Sequence, residues 1–565
     1  MTILIANIGT SDLAVKVDGS DYYFTLDARN EPNINKSSLD SSQAEAWNSK
    51  DFYQECLCNE LNVPFSEEKK FFRPLTKKLL EVYRNDSKSW HSRIRPGRIF
   101  GAIQEAREKF SVTEIYLFIT DQKTEKNLAG HHQDSIHLFE ILKEWFGHEL
   151  KNLNFIAEYI PSNISANDQD SLLDYYFQFF QKIDVNQTIL VSIKGGTPPM
   201  QNALRIQAIS SATQNQIFID PILSAQKVLL GESSKCRLTS YWRYTRNQKY
   251  QTVLRLLDRW DFDGAIKILG GWQKNLDTLI KMEVIDEDIS RSNNAIKCAI
   301  ASLDIARLCL NLDIGNAQEI TRENPTLNLS EQVNKYDLAL NFYSQCRIYW
   351  ELDQVAIFLS RMSSFYEEVL LNLISQISGK HYLSERRDGI FWKNIDKNFW
   401  DLFIKKEGKT YFQSSDIIYR LSSRYSKRNF VEILIQHEKP DKIDTWKKLY
   451  NSLVSLDYWV MHRNNLIHNG DGISKEMMPK ALADHKIINA KNRDVKDSAG
   501  NACSHEKILE IMTRIYKLSK EISNTPPNNF LHPNGSYYIY SQAKDRAIQI
   551  LMESSKVPTP VSDPE

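Results

Sequence analysis

The chain has 565 residues, 42% of them hydrophobic and 25% charged, with Lys+Arg and Asp+Glu equal at 71 each. Such a length exceeds what one core accommodates and predicts two to four domains of ordinary globular composition. Zero formal net charge excludes a protein that coats nucleic acid by bulk electrostatics, since such domains are strongly basic, but leaves room for a small basic cleft.

The opening MTILIANIGTSD has no basic stretch ahead of a long apolar run, so no signal peptide is expected. Ile3 to Ile8 reads as a buried strand ending at Gly9, and Leu13–Val17 with Tyr22–Leu26 as a hairpin around Asp18-Gly19-Ser20-Asp21. From Glu31 to Lys88 the chain is polar and poorly patterned, an insertion with no assigned place. A helix then spans Arg98 to Phe110, and four more strands follow: Glu114–Thr120, Phe155–Ile160, Thr188–Ile193 and Gln216–Asp220. Helices fit between them at His132–Phe146, Gln169–Ile183 and Pro199–Ala212. Strand and helix in alternation predict a mostly parallel α/β sheet. Beyond about Tyr244 the apolar residues recur at three and four, in Gln248–Gly270, Ser290–Leu310, Ser330–Ser378 and Asp441–Ile467, so the second half is helical. Pro558 to Glu565 reads as a disordered tail. No window approaches about 20 consecutive apolar residues, so no membrane span is expected. Seven scattered cysteines without a CxxC spacing point to reduced thiols in the cytoplasm.

In a parallel α/β sheet, ligands bind beyond the carboxyl ends of the strands. Three strands end there in polar or glycine-rich segments: Gly9-Thr10-Ser11-Asp12, Asp121-Gln122-Lys123 and Lys194-Gly195-Gly196-Thr197-Pro198. The paired glycines permit close backbone approach, while Thr197 suits an N-cap and Pro199 an early helical position. A tight strand-to-helix turn needs no more than this, but two glycine- and hydroxyl-bearing loops at equivalent strand ends form a polar floor for phosphate and ribose. Neither GxxxxGK[ST] nor GxGxxG occurs, so ATPase and dehydrogenase chemistry are not expected.

In the helical half, Arg463-Asn464-Asn465-Leu466-Ile467-His468 follows a buried-looking helix, Leu453 to Val460, and precedes the terminating Asn469-Gly470-Asp471-Gly472. Asn464 and His468 share a face, whereas Arg463 lies roughly 140° round from His468. Histidine transfers protons near neutral pH and arginine stabilises charge on a phosphate under attack. The bland alternative is an Arg and a His solvating a helix end. Arg84 and His91 form a similar pair and are set aside for want of a packed helix around them. His131-His132-x-Asp134-x-x-His137 reads as a helix start with surface histidines rather than a metal site.

Taken together, Gly-Thr-Ser-Asp after the first strand, Gly-Gly-Thr-Pro after a later one and a downstream Arg-Asn-x-x-x-His helix resemble the CARF–HEPN ribonucleases of type III CRISPR systems. The resemblance implies an α/β Rossmann-like CARF domain followed by an all-α HEPN domain. The expected divisions are 1–243 for the sensor, 244–400 for a helical connector with the first part of the helical domain, 401–557 for the HEPN-like ribonuclease, and 558–565 for the tail. It implies a cytoplasmic homodimer whose CARF pocket binds cyclic tetra- or hexa-adenylate as allosteric activator, with no stable attachment to the CRISPR effector complex. Gly9, Thr10, Ser11, Asp12, Lys194, Gly195, Gly196 and Thr197 would line that pocket, with Asp121 and Gln122 added from strand position. Arg463, Asn464 and His468, paired with those of a second copy, would cleave single-stranded RNA without metal through 2′-hydroxyl attack. Some relatives also degrade their activator, and Thr10, Ser11 and Lys194 are of the kind that orient a 2′-hydroxyl. A nucleotide-sensing regulator with a non-catalytic helical output is the alternative. It would call for a basic recognition helix.

Overall fold

A computed structural model describes residues 2–26, 34–65, 71–122, 128–213, 215–284, 288–376, 382–387, 389–408, 418–421, 423–438, 442–469, 472–491, 501–525 and 537–556, with backbone alone at 128–129, 288, 376, 438, 464–469 and 485–491. The chain forms two compact units: Met1–Tyr250 with Gly270–Asn293, and Gln251–Leu269 with Asn294–Glu565.

The first unit runs β1 (Thr2–Asn7), β2 (Leu13–Lys16), β3 (Tyr23–Thr25), α1 (Ser41–Asn48), α2 (Lys50–Glu60), α3 (Phe72–Asn85), α4 (Ser87–Arg93), β4 (Ile94–Pro96), α5 (Arg98–Phe110), β5 (Glu114–Thr120), α6 (Leu128–His131), α7 (Ile136–Glu149), β6 (Asn154–Ile160), α8 (Gln169–Phe180), β7 (Thr188–Ser192), α9 (Pro198–Ser210), β8 (Asn215–Pro221), α10 (Ala225–Leu230) and β9 (Cys236–Thr239). Its main sheet has the order β6-β5-β1-β7-β8-β9, all parallel but the last strand. Strand β1 is central because both faces are apolar. Ile3 and Ile5 join Val191, Phe179, Tyr176 and Leu204 in one core layer beneath α8 and α9, while Leu4 and Ala6 are equally buried on the other face.

The predicted hairpin forms as β2–β3, and β4 joins it on the far side of β2. Between them the stretch expected to be unpatterned is helical. In α3, Phe72, Leu75, Leu79, Leu80 and Tyr83 are buried at spacings of three and four, with Lys77, Lys78 and Glu81 on the outer face. The helix expected from His132 starts only at Ile136, because Asp134 and Ser135 turn inward to bond Gln122 and Thr120. Arg84 and His91 do lie on packed helices, where Glu140 and Glu144 of α7 pair with Arg84 and Glu149 lies 2.7 Å from His91 Nε2.

The second unit is almost wholly helical. Elements α11 (Trp242–Asp258), α12 (Phe262–Lys281) and α13 (Asp288–Leu310) carry the chain into it, each divided between the two units. Then follow α14 (Ile314–Glu323), α15 (Ser330–Asn334), α16 (Leu338–Glu351), α17 (Val355–Gln376), β10 (Gly389–Phe391), α18 (Lys397–Lys406), β11 (Ile418–Arg420), α19 (Arg424–Glu438), α20 (Ile443–Asn469), α21 (Met478–Lys491), α22 (Ile508–Ile522) and α23 (Tyr538–Ser555). The short ribbon β10–β11 is antiparallel. Phe358, Phe365, Tyr366, Leu453, Leu456, Trp459 and Tyr516 are among the second unit's fully buried side chains. Gly470, Asp471 and the tail Pro558–Glu565 lie outside the described residues. Among those described, no helix is long and apolar enough to cross a membrane.

Candidate functional site

The β1 and β7 loops meet because their strands are hydrogen-bonded neighbours, with Ala6 opposite Ser192. Gly195 is seated on Asn7 so tightly that a Cβ there would stand 1.7 Å from the Asn7 carbonyl oxygen. Gly9 in turn faces Gly196, whose amide nitrogen would lie 3.0 Å from a Cβ on Gly9. Gly196 has φ +71°, a left-handed conformation that glycine adopts without strain. Thr197 caps α9 by accepting from Met200 N, and its hydroxyl donates to the Ala166 carbonyl.

Ala166 also ties in the third loop, since its N–H donates to Gln122 Oε1 at 3.5 Å. Gln122 itself is buried: its backbone N–H donates to Asp134 Oδ2 at 2.7 Å, and His131 Nδ1 lies 2.7 Å from its carbonyl. Arg73 from α3 completes this cluster with ion pairs to Asp121 at 2.9 Å and Asp134 at 2.8 Å. Burial raises the Asp134 carboxyl above its ordinary range against the pull of these donors. His131, at the start of the HHxDxxH run, therefore serves the loop. Among the described residues no group of three His, Cys, Asp or Glu side chains is placed to hold a metal ion.

All ten residues expected at this edge thus belong to three loops, two in contact and the third linked to them through Ala166, but they divide into two kinds. Gly9, Thr10, Ser11, Asp121, Lys194, Gly196 and Thr197 are partly exposed, whereas Asp12, Gln122 and Gly195 are buried. Asp12 is wholly enclosed and accepts four bonds: from Gly9 N (2.8 Å), Ile99 N (3.0 Å), Arg98 Nη2 (2.8 Å) and Arg98 Nε (3.2 Å). It fixes the first loop onto the start of α5 and has no spare lone pair for a ligand. Lys194 pairs with Asp220 at 2.7 Å, and Arg237 takes the same carboxylate at 3.1 Å. Two cations on one anion leave this corner net positive. Asn7, Arg73, Arg98 and Ala166 were not singled out in the sequence, and Asp134 only as part of the HHxDxxH run. Their partners lie tens of residues away, where no local pattern registers them.

In the second unit α20 carries Arg463, Asn464 and His468 on one continuous helix. The Arg463 side chain is half-buried, and those of Asn464 and His468 lie outside the described set. At about 100° per residue, positions 457, 461, 464 and 468 fall within one stripe, and Arg463 sits off it beside the buried Leu456 and Val460. Asp457 anchors that stripe, binding Arg424 at 3.2 Å and Arg428 at 2.8 Å with its side chain 2% exposed. Trp459, fully buried, donates from Nε1 to the Cys503 carbonyl at 3.0 Å and secures the helix from behind.

No protein-family model matches the sequence, and no curated protein does. Eighteen chains among solved structures match. One is Enterococcus italicus Csm6 bound to cyclic hexa-2′-fluoro-hexa-dAMP, 12% identical, with 97% of this chain and 100% of that chain covered at a TM-score of 0.52. At that identity the likeness shows the fold alone: an α/β unit followed by a mostly helical one.

Proposed function

We propose that this chain is a cyclic-oligoadenylate-activated endoribonuclease of type III CRISPR defence, acting in the cytoplasm as a homodimer. The observation that carries the reading is the joining of three loops at the carboxyl edge of the sheet, in a fold shared along its whole length with a protein solved on a cyclic oligonucleotide. The backbone amide at Gly196 and the hydroxyls of Thr10 and Ser11 suit phosphate and ribose oxygens, while Gly9, its N–H held by Asp12, lets the backbone approach closely. The surplus positive charge at Lys194 and Arg237 suits the ring's anionic backbone.

Cleavage needs no cofactor in this reading. His468 takes the proton from a ribose 2′-hydroxyl, whose oxygen attacks the adjacent phosphorus. The P–O5′ bond breaks, and a second histidine, from the other copy, returns a proton to the leaving oxygen. Arg463 stabilises the charge that develops on the phosphoryl oxygens, and Asn464, one turn before His468, orients the linkage. The products carry a 2′,3′-cyclic phosphate and a 5′-hydroxyl. Pairing of two copies answers the 140° separation, because each cleft then gathers two arginines and two histidines.

The test is cleavage of fluorescent single-stranded RNA in EDTA, with cyclic tetra- and hexa-adenylate added separately, by the wild type and His468→Ala. Cleavage that depends on one ring and vanishes in the variant supports the reading. Cleavage surviving His468→Ala overturns the assignment of the catalytic residue, and cleavage absent with both rings overturns the ribonuclease reading and favours a non-catalytic output domain.

A further inference from the structure

Tyr425, at the start of α19, is 42% exposed, yet it is held in place. Arg424 Nη2 donates to its hydroxyl at 2.8 Å, and the hydroxyl donates to Met461 Sδ at 3.5 Å. The guanidinium carbons of Arg424 and Arg428 lie 4.5 Å and 5.3 Å from its ring centroid. Both arginines are fixed from behind by the buried Asp457 carboxylate. Two guanidinium charges against one carboxylate leave net positive charge beside the ring.

An exposed tyrosine ordinarily samples several rotamers and loses that freedom when something stacks on it. Here the hydroxyl and ring are already fixed, so stacking costs little further order. The position of the ring along the fold matters equally. Met461, which its hydroxyl reaches, lies on the α20 stripe that continues through Asn464 to His468. Seven residues of helix rise about 10 Å, a separation on the scale of the nucleotides flanking one cleaved linkage.

The geometry points to Tyr425 as the stacking platform for a base of single-stranded RNA beside the scissile linkage, with Arg424 and Arg428 supplying attraction for the backbone. This inference rests on the ribonuclease reading of α20 above. It assigns substrate binding, and so base preference, to a residue of the neighbouring helix, outside the Arg-Asn-x-x-x-His segment. Aromatic stacking tolerates every base but favours those with larger rings, so purines next to the cut are preferred.

The experiment uses the full chain with its activating ring. Steady-state cleavage is measured for Tyr425→Ala, Tyr425→Phe and Tyr425→Trp, with thermal melting of each. A 2′-O-methyl RNA carrying 2-aminopurine, which cannot be cleaved, reports binding directly. Tyr425→Ala is expected to raise KM about tenfold with kcat within about twofold, while Phe and Trp restore KM. The 2-aminopurine is quenched by every variant except Tyr425→Ala. Wild-type KM in Tyr425→Ala overturns the inference, as does a loss that follows melting temperature and that Phe and Trp fail to rescue. A wild type that cuts no RNA with either ring marks failure of the ribonuclease reading itself, a result distinct from a cutting enzyme indifferent to Tyr425.

Discussion

Gly195 packs against Asn7 with no room for a single methyl group, a Cβ there falling 1.7 Å from a backbone oxygen that has no freedom to move. Because Asn7 ends the central strand and holds the buried Tyr176 hydroxyl at 2.6 Å through Oδ1, displacing it disturbs both core layers of the sheet. Gly195→Ala is expected to destabilise the first unit by roughly 1–3 kcal/mol, as overpacking does, and to abolish ring binding. Gly147→Ala is the control: nothing lies within 4 Å of that Cβ, on helix α7. That change is neutral or stabilising by about 0.5–1 kcal/mol. Melting curves and calorimetric titration with both cyclic adenylates decide, and wild-type behaviour in Gly195→Ala would show that the seam is looser than described.

Asp12 and Arg98 form a buried pair, and removing one member leaves the other uncompensated. Asp12→Ala should cost about 3–5 kcal/mol of stability, with ring affinity falling because Gly9 loses the acceptor of its N–H. Chemical denaturation gives the number. A loss under about 1 kcal/mol would mean that water replaces the carboxylate.

His137 carries the pH dependence of the Arg73 cluster. Burial, then the charges of Arg73 and Lys77, hold its pKa below the ordinary 6.5. The unfolded chain therefore binds a proton that the folded one refuses. The stability involved is fully present above the unfolded value and is lost as pH falls below it. Asp134, raised by burial, works in the opposite sense near its own lower range. The melting temperature should drop from pH 7.5 to pH 5.5 by more in the wild type than in His137→Gln. Equal drops would remove His137 from the account.

Three thiols are predicted to be inert. Burial pushes Cys58 up to about 11 and Cys236 and Cys309 up to about 12, so at pH 8 almost none of each is thiolate. Iodoacetamide at that pH should leave all three unmodified in the native protein and label them in denaturant, as read by peptide mass spectrometry. Rapid native labelling of Cys309 would contradict its enclosure.

The strands of the first unit other than β4 and β9 were legible because each is a short apolar run stopped by glycine or a polar turn. The span Glu114–Thr120 was read from the sequence with the bounds it has in the structure, as was α5. Helices α1 to α4 escaped notice. They are short and two-faced, and in α3 charged residues interrupt the apolar positions so closely that the stripe dissolves in a linear reading. The three ligand-edge loops were likewise visible, but which of their residues face outward was not. Asp12 looks like a pocket residue beside Ser11 until Arg98, far along the chain, is seen to hold it. In the same way the segment from Arg463 to His468 stands out on its helix, whereas Asp457 discloses its role only through Arg424 and Arg428 on another.

The floor at the sheet's edge is also a matter of timing. Gly9 and Gly196 touch, and between them the ribosome must deliver β5, β6 and β7 before β1 has a neighbour on both sides. Closing so long a loop is slow, because its entropy is lost before its contacts form. A nascent or truncated chain ending ahead of β7 therefore holds the first glycine loop with nothing opposite it. Such a fragment lacks one side of the proposed ring floor however well its hairpin folds, so the floor is completed only when β7 and its loop have emerged.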